Sequence, residues 1–170
     1  EFESTVGIGL TSGFLKLGLD DSFVKTGGFA QFEGTSKNPF FEFTGFSRSE
    51  GFIAVIEDGL RLEGNATASG SFTSGTFSSD GTSRTGGFLV LDENLNLLEG
   101  GGFAQFNGTS KDEASGFQFS GFASSEGSIT VIDESYFLEG TAQANGESVS
   151  GNITVPIGIL DELVVVELIC

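Results

Sequence analysis

The chain of 170 residues has no histidine, no methionine and no tryptophan, and it has one cysteine, one tyrosine and two prolines. Each absence removes a class of function. Without histidine there is no imidazole to act as general base or metal ligand. Ser-His-Asp and Cys-His nucleophile systems cannot be assembled, and zinc sites of the Cys/His type are excluded with them. One cysteine, Cys170, cannot close an internal disulfide. It reads as a small buried hydrophobe, with an intermolecular bridge or attachment point as the alternative. Basic residues are also scarce, 7 against 24 acidic, for a formal net charge of −17. That argues against nucleic acid as a partner, because its binding rests on Lys and Arg neutralising phosphates. It equally disfavours docking on anionic lipid. No run approaches the ~20 apolar residues of a membrane helix, and the Trp/Tyr girdles of a membrane barrel are missing, so no membrane span is expected. The chain opens on EFESTVGIGL rather than on Met, as a processed mature protein or a fragment does.

What is present is glycine, with 27 residues, and phenylalanine, with 19. Hydrophobic residues make up 38% of the chain, too many for a disordered acidic tail. The strong like charge keeps such a Phe-rich chain soluble.

The clearest feature is an internal repeat. GGFAQFEGTSK at 27–37 returns as GGFAQFNGTSK at 101–111, ten identities in eleven positions at an offset of 74. FEFTGFSRSEG at 41–51 returns as FQFSGFASSEG at 117–127. Acidic pairs punctuate the chain at Asp20-Asp21, Glu57-Asp58, Asp92-Glu93, Asp133-Glu134 and Asp161-Glu162, each set between apolar runs. The periodicity along these runs is two rather than 3.6. Over 60–73, Leu60, Leu62, Gly64, Ala66, Ala68, Gly70 and Phe72 share one face, and Arg61, Glu63, Asn65, Thr67, Ser69, Ser71 and Thr73 the other. This is the pattern of a long half-buried strand. The expected fold is therefore all-β and without significant helix: an antiparallel sandwich or flattened barrel of about five hairpins, each tipped by an acidic turn and joined by Gly/Ser/Thr loops. Inward glycines such as Gly64, Gly70 and Gly140 would let a Phe ring lie on bare backbone. Pro156 marks an edge or a bulge.

The organisation expected is an N-terminal strand, residues 1–10, followed by one repetitive domain, 11–170, in which 27–100 is duplicated as 101–170. In the first segment Phe2, Ser4, Val6, Ile8 and Leu10 share one face, with Glu3, Thr5, Gly7 and Gly9 opposite. That segment is either the first strand of its own sheet or a donor strand completing a neighbour's sheet by main-chain pairing. The C-terminal run Leu163–Ile169 is apolar on both faces and needs covering on both.

Chemistry is sparse. Acidic pairs in turns are ordinary solvated turns, and glycosidase carboxylates instead face each other across a cleft. No phosphate loop precedes a helix. Hence no enzyme and no cofactor are expected. Calcium is the one metal with suitable oxygen ligands, from the tip acids and Asp112-Glu113, but no loop carries the acid density of a dedicated site. Three N-x-S/T sequons, at Asn65, Asn107 and Asn152, are candidate glycosylation sites. By the alternation Asn65 and Asn152 point outward, and Asn107 opens a loop. Exposed Ser/Thr stretches such as 69–85 are candidates for O-linked sugars. The repeat and the alternating N-terminus resemble, in architectural style, extracellular fibre subunits and adhesin-like β modules. The function expected is a structural subunit of an extracellular filament or surface assembly whose partners are copies of itself. The alternative is an adhesin or carbohydrate-binding module.

Overall fold

In the computed structural model the described residues are 3–132, 135–150, 153–157 and 162–169, the last two segments as backbone only. Strand-favouring alternation and near-absence of proline give ten strands and, among the described residues, no helix. Eight are long: β1 (Ser4–Leu17), β2 (Phe23–Lys37), β3 (Glu42–Ile56), β4 (Gly59–Ser74), β5 (Phe77–Leu91), β6 (Leu97–Asp112), β7 (Phe117–Ile132) and β8 (Ser135–Ser150). Each pairs antiparallel with the next, so β1 to β8 form one up-and-down sheet. Two shorter strands, β9 (Ile153–Ile157) and β10 (Glu162–Ile169), both pair with β8, at Gly146–Ser150 and Ser135–Ala142 respectively. Pro156 thus lies opposite Glu147 in β9, outside the eight-stranded body.

All-β character and absence of helix hold, but the sandwich or flattened barrel of five hairpins does not. The sheet is single-layered and open: β1 pairs only with β2. The Gly/Ser/Thr stretches read as loops are strands. Most of 69–85 lies in β4 and β5, with only Gly75-Thr76 as the turn. Ser and Thr serve there as strand residues whose hydroxyls meet across neighbours, as in Thr35–Thr44 at 2.9 Å and Ser79–Ser110 at 3.4 Å. Asn107 accordingly sits inside β6 and opens no loop.

Glycine sets the register. Gly13, Gly28, Gly51, Gly64, Gly87, Gly102, Gly127 and Gly140 stand opposite one another in an unbroken row across all eight strands. A second unbroken row, six residues along every strand, runs through Gly7, Gly34, Gly45, Gly70, Gly81, Gly108, Gly121 and Gly146. From Gly34 to Gly146 this second row has φ between +134° and +157°, a conformation that side chains with a Cβ resist. A methyl group on Gly70 would run into the Thr44 carbonyl, and one on Gly45 into that of Ser69.

Because facing residues of an antiparallel pair share a face, both rows lie on the same side. All seven Lys and Arg residues fall on the other side: Lys16, Lys25 and Arg61 on one line, Arg48 and Arg84 on a second, Lys37 and Lys111 on a third. The strand acids Glu33, Glu50, Glu63, Asp80, Glu126 and Glu139 join them there. The glycine side carries no charged residue between its aliphatic line and its Phe line; Asp112, the last residue of β6, lies just beyond. No described residue with an apolar side chain is buried, so the sheet has no core of its own.

Candidate assembly surfaces

The uncharged face is built in bands. Next to the acidic turns runs an aliphatic line, Leu15, Ile53, Leu62, Leu89, Ile129 and Leu138. The first glycine row follows, then two lines of mostly Ala, Ser and Thr with Phe32 and Phe106, then the second glycine row, then Phe43, Phe72 and Phe119. Phe32 and Phe43 stand four positions apart along the strands, about 13 Å at strand rise, yet their ring centroids are 6.4 Å apart. Both rings therefore lean inward over Gly34 and Gly45. Phe106 and Phe119 do the same over Gly108 and Gly121, at 6.3 Å. The rings on bare backbone expected from the sequence are thus supplied by neighbours within the sheet, not by a facing layer.

The charged face handles its aromatics differently. Phe52 pairs with Gly27, Phe88 with Gly101 and Phe103 with Gly86, so these rings lie beside glycine backbone. The Lys25 ammonium lies 3.7 Å from the centroid of Phe52, Arg48 4.2 Å from Phe29, and Arg61 4.6 Å from Phe88. Cations stacked on rings shield them from water. The ion pairs Lys37–Glu42 and Arg48–Glu50, both at 2.8 Å, are solvent-facing and add little stability. A shallow trough crosses this face over Gly87, Gly101 and Gly102, walled by Phe88, Phe103, Glu126 and Glu139.

The N-terminal strand is a third surface. Val6, Ile8 and Leu10 lie on the charged face at the β1 edge and are 74%, 68% and 51% exposed. Residues 4–17 pair along their length with β2, in the chain's own sheet. The other edge of β1 carries no partner among the described residues. Phe2 lies outside the described residues.

The acidic turns line one end of the sheet, and in two of them the first carboxylate, Asp20 or Asp92, is engaged locally. Asp20 accepts hydrogen bonds from the Ser22 hydroxyl (2.6 Å) and backbone N–H (3.2 Å). Asp92 accepts from the Asn94 and Asn96 backbone N–H groups, both 2.8 Å, and from the Asn96 side-chain amide, 2.9 Å. At the opposite end Asp112 accepts from Thr76 and Ser115, both 2.7 Å. These bonds hold all three carboxyls below the usual carboxylate range, with side-chain donors the largest cause: Ser22 for Asp20, Asn96 for Asp92 and Ser115 for Asp112. Among the described residues no three acids converge as a metal site. Asp133, Glu134 and Asp161 lie outside the described residues.

Asn65 and Asn107 are exposed on the charged face, in β4 and β6. Asn152 and Cys170 lie outside the described residues. The glycine rows escaped the sequence reading, although a signal was present: Gly-x5-Gly occurs at 7/13, 28/34, 45/51, 64/70, 81/87, 102/108, 121/127 and 140/146, once per long strand. No protein-family model, curated protein or solved structure matches the chain.

Proposed function

We propose that the chain is a structural subunit of an extracellular filament or surface assembly, and that copies join head to tail by adding strand to strand. The observation that carries this reading is an open sheet with an unguarded edge. β1 offers fourteen residues of backbone with no proline and one charge, Lys16. Natural edges are normally blunted by charge, proline or bulges. On this edge Val6, Ile8 and Leu10 form an apolar stripe on the otherwise charged face, as a strand does that is meant to lie between two neighbours. The opposite edge of the sheet, along β9 and β10, is a different surface. A β1-to-β10 contact is heterologous, and repeated without closing on itself it produces a fibre. Absence of histidine and the exposed sequons fit an extracellular, non-enzymatic role.

Electron microscopy of the purified chain beside the chain lacking residues 1–10 tests this. Filaments from the first and none from the second are expected. Filaments from both would rule out strand addition through this segment.

A second reading, a carbohydrate-binding module, rests on the trough between Phe88 and Phe103, whose acids Glu126 and Glu139 and amide Asn65 present hydrogen-bonding groups beside aromatic rings. A specific glycan-array signal lost in Phe103→Ala would support it.

A further inference from the structure

We infer that the uncharged, glycine-rowed face is the seat of a second copy of this chain, so that two single-layer sheets pack face to face into a sandwich whose core neither copy has alone. This rests on the reading that copies associate, and it adds a second contact, through a face instead of an edge.

Three observations converge. First, the molecule exposes 11307 Å², whereas a compact chain of 17.7 kDa exposes about 8,000 Å² by the usual size scaling. The excess is about 3,300 Å² by the same scaling. Second, the uncharged face is large enough to remove much of it. Eight strands at their lateral spacing, and the eleven positions from the aliphatic to the Phe line, cover about 1,300 Å². A stable protein interface needs about 800 Å² per partner. Third, the two faces differ in their fitness for water. On the charged side Lys25, Arg48 and Arg61 cover Phe52, Phe29 and Phe88, and the rings left open there, Phe14 and Phe122, stand among charged neighbours. On the uncharged side Leu15, Ile53, Val55 and Leu89 stay more than a third exposed, and no charge is there to cover them.

The shape of the face selects the occupant. Its middle is Gly, Ala, Ser and Thr, too polar and too flat for an acyl-chain environment. It is flanked by aliphatic and Phe ridges, and the first glycine row leaves a groove beside the aliphatic one, at Gly51, Gly64 and Gly87. Sheets that pack face to face approach to about 10 Å with interdigitated side chains, and ridges beside grooves provide that. The face also bears no charge, in a chain whose net charge of −17 resists self-contact elsewhere.

Ala104 and Gln105 are consecutive in β6 and point to opposite faces. In the full-length chain with Cys170→Ser, a nitroxide label is placed at Ala104→Cys or at Gln105→Cys, and its accessibility to a water-soluble paramagnetic reagent is followed as concentration rises. Association is monitored in the same samples by sedimentation velocity. The label at 104 is expected to become protected as copies associate, and the label at 105 to stay accessible. Ala104→Glu is expected to abolish that protected species and Gln105→Glu to leave it intact, with circular dichroism showing strand content retained. Association with both labels accessible, or with only 105 protected, overturns the face contact while leaving self-association standing. A chain that stays monomeric overturns both. Protection at 104 only on adding phosphatidylcholine vesicles assigns the face to lipid and overturns the inference.

Discussion

Glycine is required at some positions of this sheet and replaceable at others, and substitution separates the two. In the second row the backbone itself requires it. Gly70 has φ +134°, and the Thr44 carbonyl occupies the space of its missing Cβ. In the first row the room varies: a Cβ on Gly28 would meet the Ser12 carbonyl, whereas one on Gly64 would have only the Glu50 carbonyl nearby, at 3.6 Å, an ordinary contact. Gly70→Ala is expected to destabilise the fold by about 2–3 kcal/mol, the range for a backbone conformation restricted to glycine. Gly64→Ala is expected to be neutral or to stabilise by about 0.5 kcal/mol through the unfolded chain's entropy. Chemical denaturation of the two variants checks this contrast; equal losses would refute it. The turn aspartates give a pH signature. Hydrogen bonds from Asn96 and Asn94 hold the Asp92 carboxyl below its unfolded value. The stabilisation is therefore complete above the unfolded value and is lost as pH falls through the folded one, below about pH 4. The melting midpoint of Asp92→Ala should lie below the parent's at neutral pH and converge on it in acid. A constant gap across that range would show that the carboxylate's charge is not what holds the turn.

Among the elements, β1 differs most from its neighbours. It touches one strand, and all of it is exposed. An edge of this kind is closed by an inward charge. Ile8→Lys places one in the middle of the Val6–Leu10 stripe and is expected to suppress filaments while leaving the circular dichroism unchanged. Undiminished filaments would place the growth contact elsewhere. The elements also show what was legible in the amino-acid order. Alternation over 60–73 marked β4 with its correct faces, because Leu and Ala alternate there with charged and hydroxyl residues. Residues 1–10 read as a strand for the same reason, and the described part is β1. The stretch 69–85 misled because Gly, Ser and Thr are loop formers where no partner strand exists. Here Gly70 and Gly81 face each other, and the hydroxyls bond across strands. Asn107 was placed in a loop for that same reason. The assembly surfaces depend on the register between strands. One strand shows its own Gly-x5-Gly, but only pairing lines these up into rows and gathers every Lys and Arg on one side.

At the scale of the whole molecule the sheet grows by hairpins, each strand meeting only its sequence neighbours apart from β8, which also takes β9 and β10. Such a fold resembles a repeat array, in which stability is a sum of neighbour contacts. Among the described residues there is no second layer of the kind that ordinarily buries a sheet's apolar face. The sequence pointed to two-layer packing because one side of each strand is apolar. It could not show that the described residues form one layer only, since alternation reports that a face wants cover and not which molecule supplies it. The central claim is that packing is completed only between copies. Association that favours the folded state raises the melting temperature with protein concentration. The most direct measurement is thus the thermal midpoint of the intact chain by circular dichroism across about a hundredfold range of concentration. A midpoint that climbs steadily, with the sedimentation coefficient rising in parallel, is predicted. A midpoint independent of concentration, in a chain that sediments as a cooperatively folded monomer throughout, would contradict the account.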